Sequence, residues 1–257
     1  LQTLLDTLRR IGSAGRPLDA STNAWHGDAL FAWVTIVLGV VLLIVLAQLA
    51  LVILRSRAAA PPSASRGDDA RSRLLVIAGT LSLIALVDVV SLWRSSQDLP
   101  SWVLRAPQPG EVQVEVMAQQ WAWSFRYAGN DGRFGTDDDI VQLNTLTLPA
   151  GTPARLELRS KDVIHSLFIP SLRLKRDAQP GTTTELYLEP ARVGAYELAC
   201  AQHCGANHYL MRGTLDIVPA PAYARWLAEE SALAKARFPA RPAGSNWAWP
   251  FSALPQK

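Results

Sequence analysis

The chain has 257 residues, 49% of them hydrophobic, with 25 Lys and Arg against 22 Asp and Glu for a formal net charge of +3. That length allows one or two domains, and the apolar content is on the high side for a soluble protein, which argues against a wholly water-exposed chain. Two segments account for the excess.

In chain order, Leu1 to Asp28 carries Arg9, Arg10 and Arg16 and reads as an outer arm, 1–28. The chain starts at Leu1 rather than Met, so a cleaved leader is left open. Ala29 to Leu54 is 26 residues without a charge, and a helix of that length reaches roughly 39 Å, beyond the thickness of a bilayer core. Leu74 to Trp93 is a second run of 20 residues, with Asp88 as its one ionisable group. Both are long enough to span, which predicts a helical hairpin over 29–93, with spans 29–54 and 74–93 joined by a loop over 55–73. Arg55, Arg57, Arg66, Arg71 and Arg73 crowd that loop, so it is expected on the cytoplasmic side, and both flanking regions on the outer side. Asp88 inside the second span is either functional or bonded structurally near the outer interface.

From 94 to 220 the pattern changes to short alternating runs. Val112, Val114 and Val116 alternate with Gln113 and Glu115, and Arg155 to Arg159, Thr183 to Leu188, Gly194 to Ala199 and Gly213 to Val218 follow suit. Short strands between Pro and Gly turns predict an all-β sandwich or small barrel. Trp121 and Trp123, two apart, could share one strand face and fill its core, the alternative to a near-surface indole at Trp121 that offers a partner an apolar contact. Asn130 to Asp139 offers closely spaced oxygen ligands, but without EF-hand spacing it reads as a solvated hairpin loop. The region 221–257 is a tail: a helix over Tyr223 to Arg237 closed by Pro239, then an irregular stretch with Trp247, Trp249 and Phe251.

The chemistry concentrates late in the outer domain. Cys200, Cys204, His208 and Met211 fall inside twelve residues, and they include the only two cysteines of the chain. Thiolate, imidazole and thioether together suit a soft redox metal, copper above all. A mononuclear blue-copper site uses one Cys, so the second thiolate suggests two metals sharing both sulfurs. In an oxidising compartment, a Cys200–Cys204 disulfide is the competing reading. His165, in the strand-like segment Val163-Ile164-His165-Ser166-Leu167-Phe168, is the upstream imidazole that would close the site.

With these residues the chain resembles subunit II of the haem-copper respiratory oxidases, the cytochrome c oxidase type, over Ala29 to Val218. The resemblance is carried by Cys200-Ala201-Gln202-His203-Cys204-Gly205-Ala206-Asn207-His208-Tyr209-Leu210-Met211, by Ile169-Pro170-Ser171-Leu172-Arg173-Leu174-Lys175-Arg176-Asp177-Ala178-Gln179-Pro180-Gly181, and by Gln120-Trp121-Ala122-Trp123-Ser124-Phe125. It implies a membrane α-helical hairpin plus an all-β, cupredoxin-like Greek-key sandwich holding two copper ions as the dinuclear copper A centre. By the same resemblance Cys200 and Cys204 bridge both ions, His165 and His208 each terminate one, Met211 is a weak axial ligand, and the Gln202 carbonyl completes the set. His203 has no ligand role in the family. Trp121 matches the residue through which electrons come in, and Lys175 and Asp177 fall at the border with subunit I.

Gln202 departs from the pattern. Family members commonly carry Glu there, reaching a magnesium or manganese ion at the subunit I border, and a neutral amide is a poorer ligand for a hard cation. That ion is therefore in doubt. The acid that feeds a proton path near the second helix has only Asp68 and Asp69 as counterparts. From Ser101 onward 16 Lys and Arg stand against 15 Asp and Glu, a balance of +1, so no strongly acidic domain invites a basic donor. The resemblance implies the electron-input subunit of a terminal oxidase in a bacterial inner membrane. It would take electrons from cytochrome c and pass them to haem in subunit I, where oxygen is reduced and protons are translocated. Subunits I and III are the expected partners, and no nucleic acid is expected.

Overall fold

The computed structural model describes residues 17–22, 24–58, 70–102 and 105–237. Two helices come first, α1 (Ala24–Ala58) and α2 (Ala70–Trp102). Their apolar stretches, Ala24–Arg55 and Arg73–Gln97, have mean hydropathies of 3.2 and 2.3, and none of either most apolar window is buried. The central helix of a soluble protein would hide such a surface, whereas a lipid-facing helix leaves it open. Ile36, Val40 and Ile44 of α1 and Leu83 and Leu86 of α2 line one apolar groove. Both helices run past the charge-free runs. Apolarity marks the extent of hydrocarbon, but intrahelical hydrogen bonding does not need it, so α2 continues through Arg94, Ser95, Ser96 and Gln97. Asp88 is exposed on α2. Asp68, Asp69 and the tail residues Trp247, Trp249 and Phe251 lie outside the described residues.

The outer unit is built from ten strands: β1 (Val112–Gln119), β2 (Ala122–Tyr127), β3 (Ile140–Leu143), β4 (Thr145–Pro149), β5 (Ala154–Ser160), β6 (His165–Ile169), β7 (Leu174–Ala178), β8 (Thr184–Leu188), β9 (Gly194–Cys200) and β10 (Arg212–Val218). They form two five-stranded sheets, β3-β2-β1-β5-β8 and β4-β10-β9-β6-β7. The β1–β5 and β10–β4 pairs are parallel, and the other pairs are antiparallel. Alternation decides the faces: Val114, Val116, Trp123, Phe125, Leu156 and Leu158 point into the core from one sheet, and Leu146, Leu148, Leu167, Leu198, Leu215 and Ile217 belong to the same core from the other. A helix, α3 (Ala220–Arg237), closes the unit, with Trp226 edge-on to Tyr127 at 5.0 Å between ring centroids.

The chain changes sheets at Asn144. Its φ of 56° is left-handed, a conformation Asn tolerates better than most residues. Its amide donates to the Trp123 carbonyl at 2.7 Å and its own carbonyl accepts from Thr214 at 2.9 Å, while its side-chain oxygen accepts from the Trp123 amide at 2.8 Å. One residue therefore staples β2 to β10, and a Cβ on Gly213 would collide with the Asn144 carbonyl oxygen. Part of the N-terminal arm also belongs to this unit. Ala20 is fully buried in the core; it donates to the Ser171 carbonyl at 2.9 Å and accepts from the Ala191 amide at 2.7 Å. Hydropathy could not reveal this docking, because a single alanine carries no pattern.

The Asn130–Asp139 loop satisfies itself. Asp138 accepts from the Asn130 amide at 2.8 Å and from Thr136 Oγ1 at 2.8 Å, while Asp139 accepts from Gly135 at 2.8 Å and faces Arg126 at 3.7 Å. A cation there would have to displace these donors and approach a guanidinium. Gly213→Ala is expected to lower stability by about 1–3 kcal/mol through overpacking, read as a lower thermal midpoint of the purified chain. An unchanged midpoint would contradict the close approach of Gly213 to Asn144.

Candidate metal centre

Four pieces of backbone bring the candidate ligands together. His165 opens β6, Cys200 ends β9, Met211 directly precedes β10, and the intervening loop supplies Gln202, Cys204 and His208. The framework is tied by main-chain bonds: Cys200 N–H donates to the Met211 carbonyl at 3.0 Å, Ala201 N–H to the Ser166 carbonyl at 2.9 Å, and His208 N–H to the Gly205 carbonyl at 3.1 Å. Strand ends therefore fix three of the donors, and one short turn, His208–Leu210, fixes a fourth.

The donor atoms converge. Cys200 Sγ and Cys204 Sγ are 3.8 Å apart, well beyond the ~2.05 Å of a disulfide, and both cysteines are free and buried. His165 Nδ1 lies 3.2 Å from Met211 Sδ and 4.0 Å from Cys200 Sγ. His208 Nδ1 lies 3.6 Å from Cys204 Sγ, which is itself 3.7 Å from Met211 Sδ. The Gln202 carbonyl oxygen stands 3.2 Å from Cys200 Sγ. The donors of His165, Cys200 and Cys204 all fall within 4.8 Å of one another. Two thiols, two imidazoles, a thioether and a carbonyl in a pocket largely shut off from water form a soft donor set, the kind that fits copper rather than a hard cation.

His165 is held by a residue that the reading of ligand types overlooked. Asp162 Oδ1 is 2.8 Å from His165 Nε2, so Nε2 donates to the carboxylate and Nδ1 faces the sulfurs: as N–H it donates to the Cys200 thiolate in the metal-free chain, and on losing that proton it offers the lone pair a ligating imidazole needs. Burial alone would push the Asp162 carboxyl up, but the His165 bond and backbone donors hold it below its usual value. Burial likewise opposes the charged His165, and the bonds to Cys200 and Asp162 override it. Asp162 stands three residues before His165, the one sequence signal that could have exposed it. The fully buried ring of Trp123 meets His165 edge-on at 6.1 Å.

Trp121 is not a strand residue. It sits with Gln120 at the two-residue tip joining β1 to β2, half-buried against the core. The Gly205 position faces its indole, at 3.4 Å from Cζ2 and Nε1 to an idealised Cβ there. His203 is exposed, its ring 5.6 Å from that of His208. Asp177 on β7 accepts from Ser166 Oγ at 2.6 Å.

The two-sheet sandwich, with candidate ligands on strand ends and one connecting loop, is a cupredoxin-like Greek-key domain. Residues 112–218 match the family model described as cytochrome c oxidase subunit II, periplasmic domain. The likeness to the cytochrome c oxidase subunit II family lies in that domain. Alternative cytochrome c oxidase subunit 2 of Bradyrhizobium diazoefficiens is 36% identical over 145 residues, 48% of this chain and 52% of the relative. Cytochrome c oxidase subunit 2 of Branchiostoma floridae is 33% identical over 129 residues, 45% and 56% of the two chains. The chain thus spans about half the length of the curated relatives it matches. Among solved structures, the periplasmic domain of subunit II of cytochrome oxidase from Bradyrhizobium japonicum aligns with a TM-score of 0.43 and 25% identity, covering 52% of this chain and 99% of that one. Two apolar helices and a periplasmic-domain family describe a membrane protein with an external domain.

The two thiols ionise unequally without metal. Burial raises both, but bonds from His165 and the Ser166 and Gln202 main chain bring Cys200 down to about 6. Burial and the neighbouring Cys200 charge push Cys204 up to about 12. Because the interaction with His165 favours the anion, the first thiolate should appear as pH rises through about 6 and be lost below it. The second should resist ionisation far into alkali. Ultraviolet thiolate absorbance of the metal-free chain tests this, and two thiols titrating together near 9.0 would refute it.

Proposed function

We propose that this chain is the electron-input subunit of a terminal respiratory oxidase in a bacterial inner membrane. Cys200, Cys204, His165, His208, Met211 and the Gln202 carbonyl of its outer domain would hold two copper ions. The observation that carries this is the pair of buried, unbonded sulfurs 3.8 Å apart with one imidazole beside each. When bound, the copper pair supplies one-electron redox chemistry near a fixed geometry. The chain's residues do the rest: Asp162 orients His165, Trp123 and the core keep water from it, and the β9–β10 junction fixes Cys200 against Met211. Rigid strand ends limit the rearrangement that a change of oxidation state demands.

Electrons come in through Trp121 from a cytochrome c and leave toward haem in subunit I. Oxygen reduction and proton translocation belong to the partner, since the apolar runs 29–54 and 74–93 contain no histidine to ligate haem. Subunit III is a further partner. The arginines of the loop favour residues 55–73 in the cytoplasm, with the N-terminal arm and the copper domain in the periplasm. Gln202 presents an exposed amide where a carboxylate would serve a hard cation, which argues against a bound magnesium or manganese ion.

Metal analysis of the purified oxidase should assign two coppers to this subunit, with an EPR signal delocalised over two nuclei that Cys204→Ser abolishes. A one-nucleus signal, or no copper at all as in a quinol-oxidising relative, would overturn the assignment. Trp121→Ala should leave copper content intact and slow donor oxidation by about tenfold or more, a barrier increase of ~1.4 kcal/mol. Unchanged turnover would mean that electrons come in elsewhere.

A further inference from the structure

The tip formed by Gln120 and Trp121 is held in a way that metal binding does not require. A two-residue connection between antiparallel strands has no neighbour on its outer side, and such tips are among the more mobile parts of a fold. Here it is fastened twice. Gln120 N–H donates to Asp162 Oδ2 at 2.7 Å, and the other oxygen of that carboxylate is the one 2.8 Å from His165 Nε2. The Gln120 side-chain amide donates to the Cys204 carbonyl at 2.7 Å. Gly205, at a left-handed φ of 118°, leaves the room for this approach, since a Cβ there would stand 2.8 Å from Gln120 Nε2. A single residue therefore reaches the His165 side of the cluster through its main chain and the Cys204 side through its side chain.

Resting on the assignment of Trp121 as the electron-input residue, we infer that Gln120 is a positioning residue for electron transfer. It sets the gap and orientation between the Trp121 indole and the sulfur cluster, and it takes no part in holding metal. The two bonds have separable roles. The bond to Asp162 is made by the backbone and survives any side-chain change except proline, so the hairpin stays folded. The bond to Cys204 needs a neutral amide donor: Ala removes it, and Glu replaces it with a carboxylate facing a carbonyl oxygen. Losing that bond frees the indole while leaving every proposed ligand in place.

In the intact oxidase, Gln120→Ala and Gln120→Glu should retain full copper content and the dinuclear EPR signal. The single-turnover rate of electron delivery from reduced cytochrome c should fall several-fold, because tunnelling weakens exponentially as the indole drifts from the cluster. The rate from the centre onward to haem should not change, and fluorotryptophan NMR should show a narrower Trp121 line. General damage to the domain would slow both rates or deplete copper, and either result overturns the inference, as does an unaltered input rate. If Trp121→Ala slows input while Gln120→Ala does not, only this inference falls. If Trp121→Ala has no effect, the assignment of Trp121 falls and takes this inference with it.

Discussion

Two sulfur atoms 3.8 Å apart, buried and not bonded to each other, are the constraint around which the outer domain is organised. Cys200 ends β9 with its amide bonded to the Met211 carbonyl at 3.0 Å, so the sheet fixes the backbone that carries one sulfur. The surroundings also disfavour a state in which both thiols are protonated. His165 favours the Cys200 anion, and the resulting charge makes ionisation of Cys204 costly until a cation arrives.

The division between strand ends and loop follows from the same constraint. His165, Cys200 and Met211 begin, end or adjoin strands that pair through continuous ladders, and their positions are set by the sheet. Cys204 and His208 lie on the connection, where backbone freedom is greater, and the structure compensates with the turn at His208–Leu210 and the His208 N–H bond to the Gly205 carbonyl. Trp123 and Phe125 fill the interior below. Apolar packing thus supplies stiffness, and a few directed hydrogen bonds supply orientation, the combination a site needs if its geometry is to persist through a change in charge.

Much of the fold was readable because its signals are periodic. Val112, Val114 and Val116 announce β1, and the run of apolar residues from Ala29 to Leu54 announces α1, since burial in a sheet and burial in lipid each impose a repeat that one sequence can display. The misreadings have physical causes. Trp121 and Trp123 share a two-residue spacing, yet Trp121 lies on a turn, because alternation cannot show where a hairpin reverses. Residues 94–102 continue α2 although their polarity ends the apolar run. Ala20 enters the core with no hydrophobic neighbour to signal it.

The sequence by itself determined the chemistry on offer: two cysteines four apart, followed by His208 and Met211, suit a soft metal or a disulfide, and the two apolar runs are long enough to cross a membrane. Tertiary structure decided how those side chains stand to one another. It keeps the sulfurs apart, brings His165 from another strand to within 4.0 Å of one of them, and recruits Asp162 and Gln120, whose residue types carry no metal signature. The reason is that ligand identity is written in side chains, whereas distance and orientation arise only when strands remote in sequence pair into one sheet.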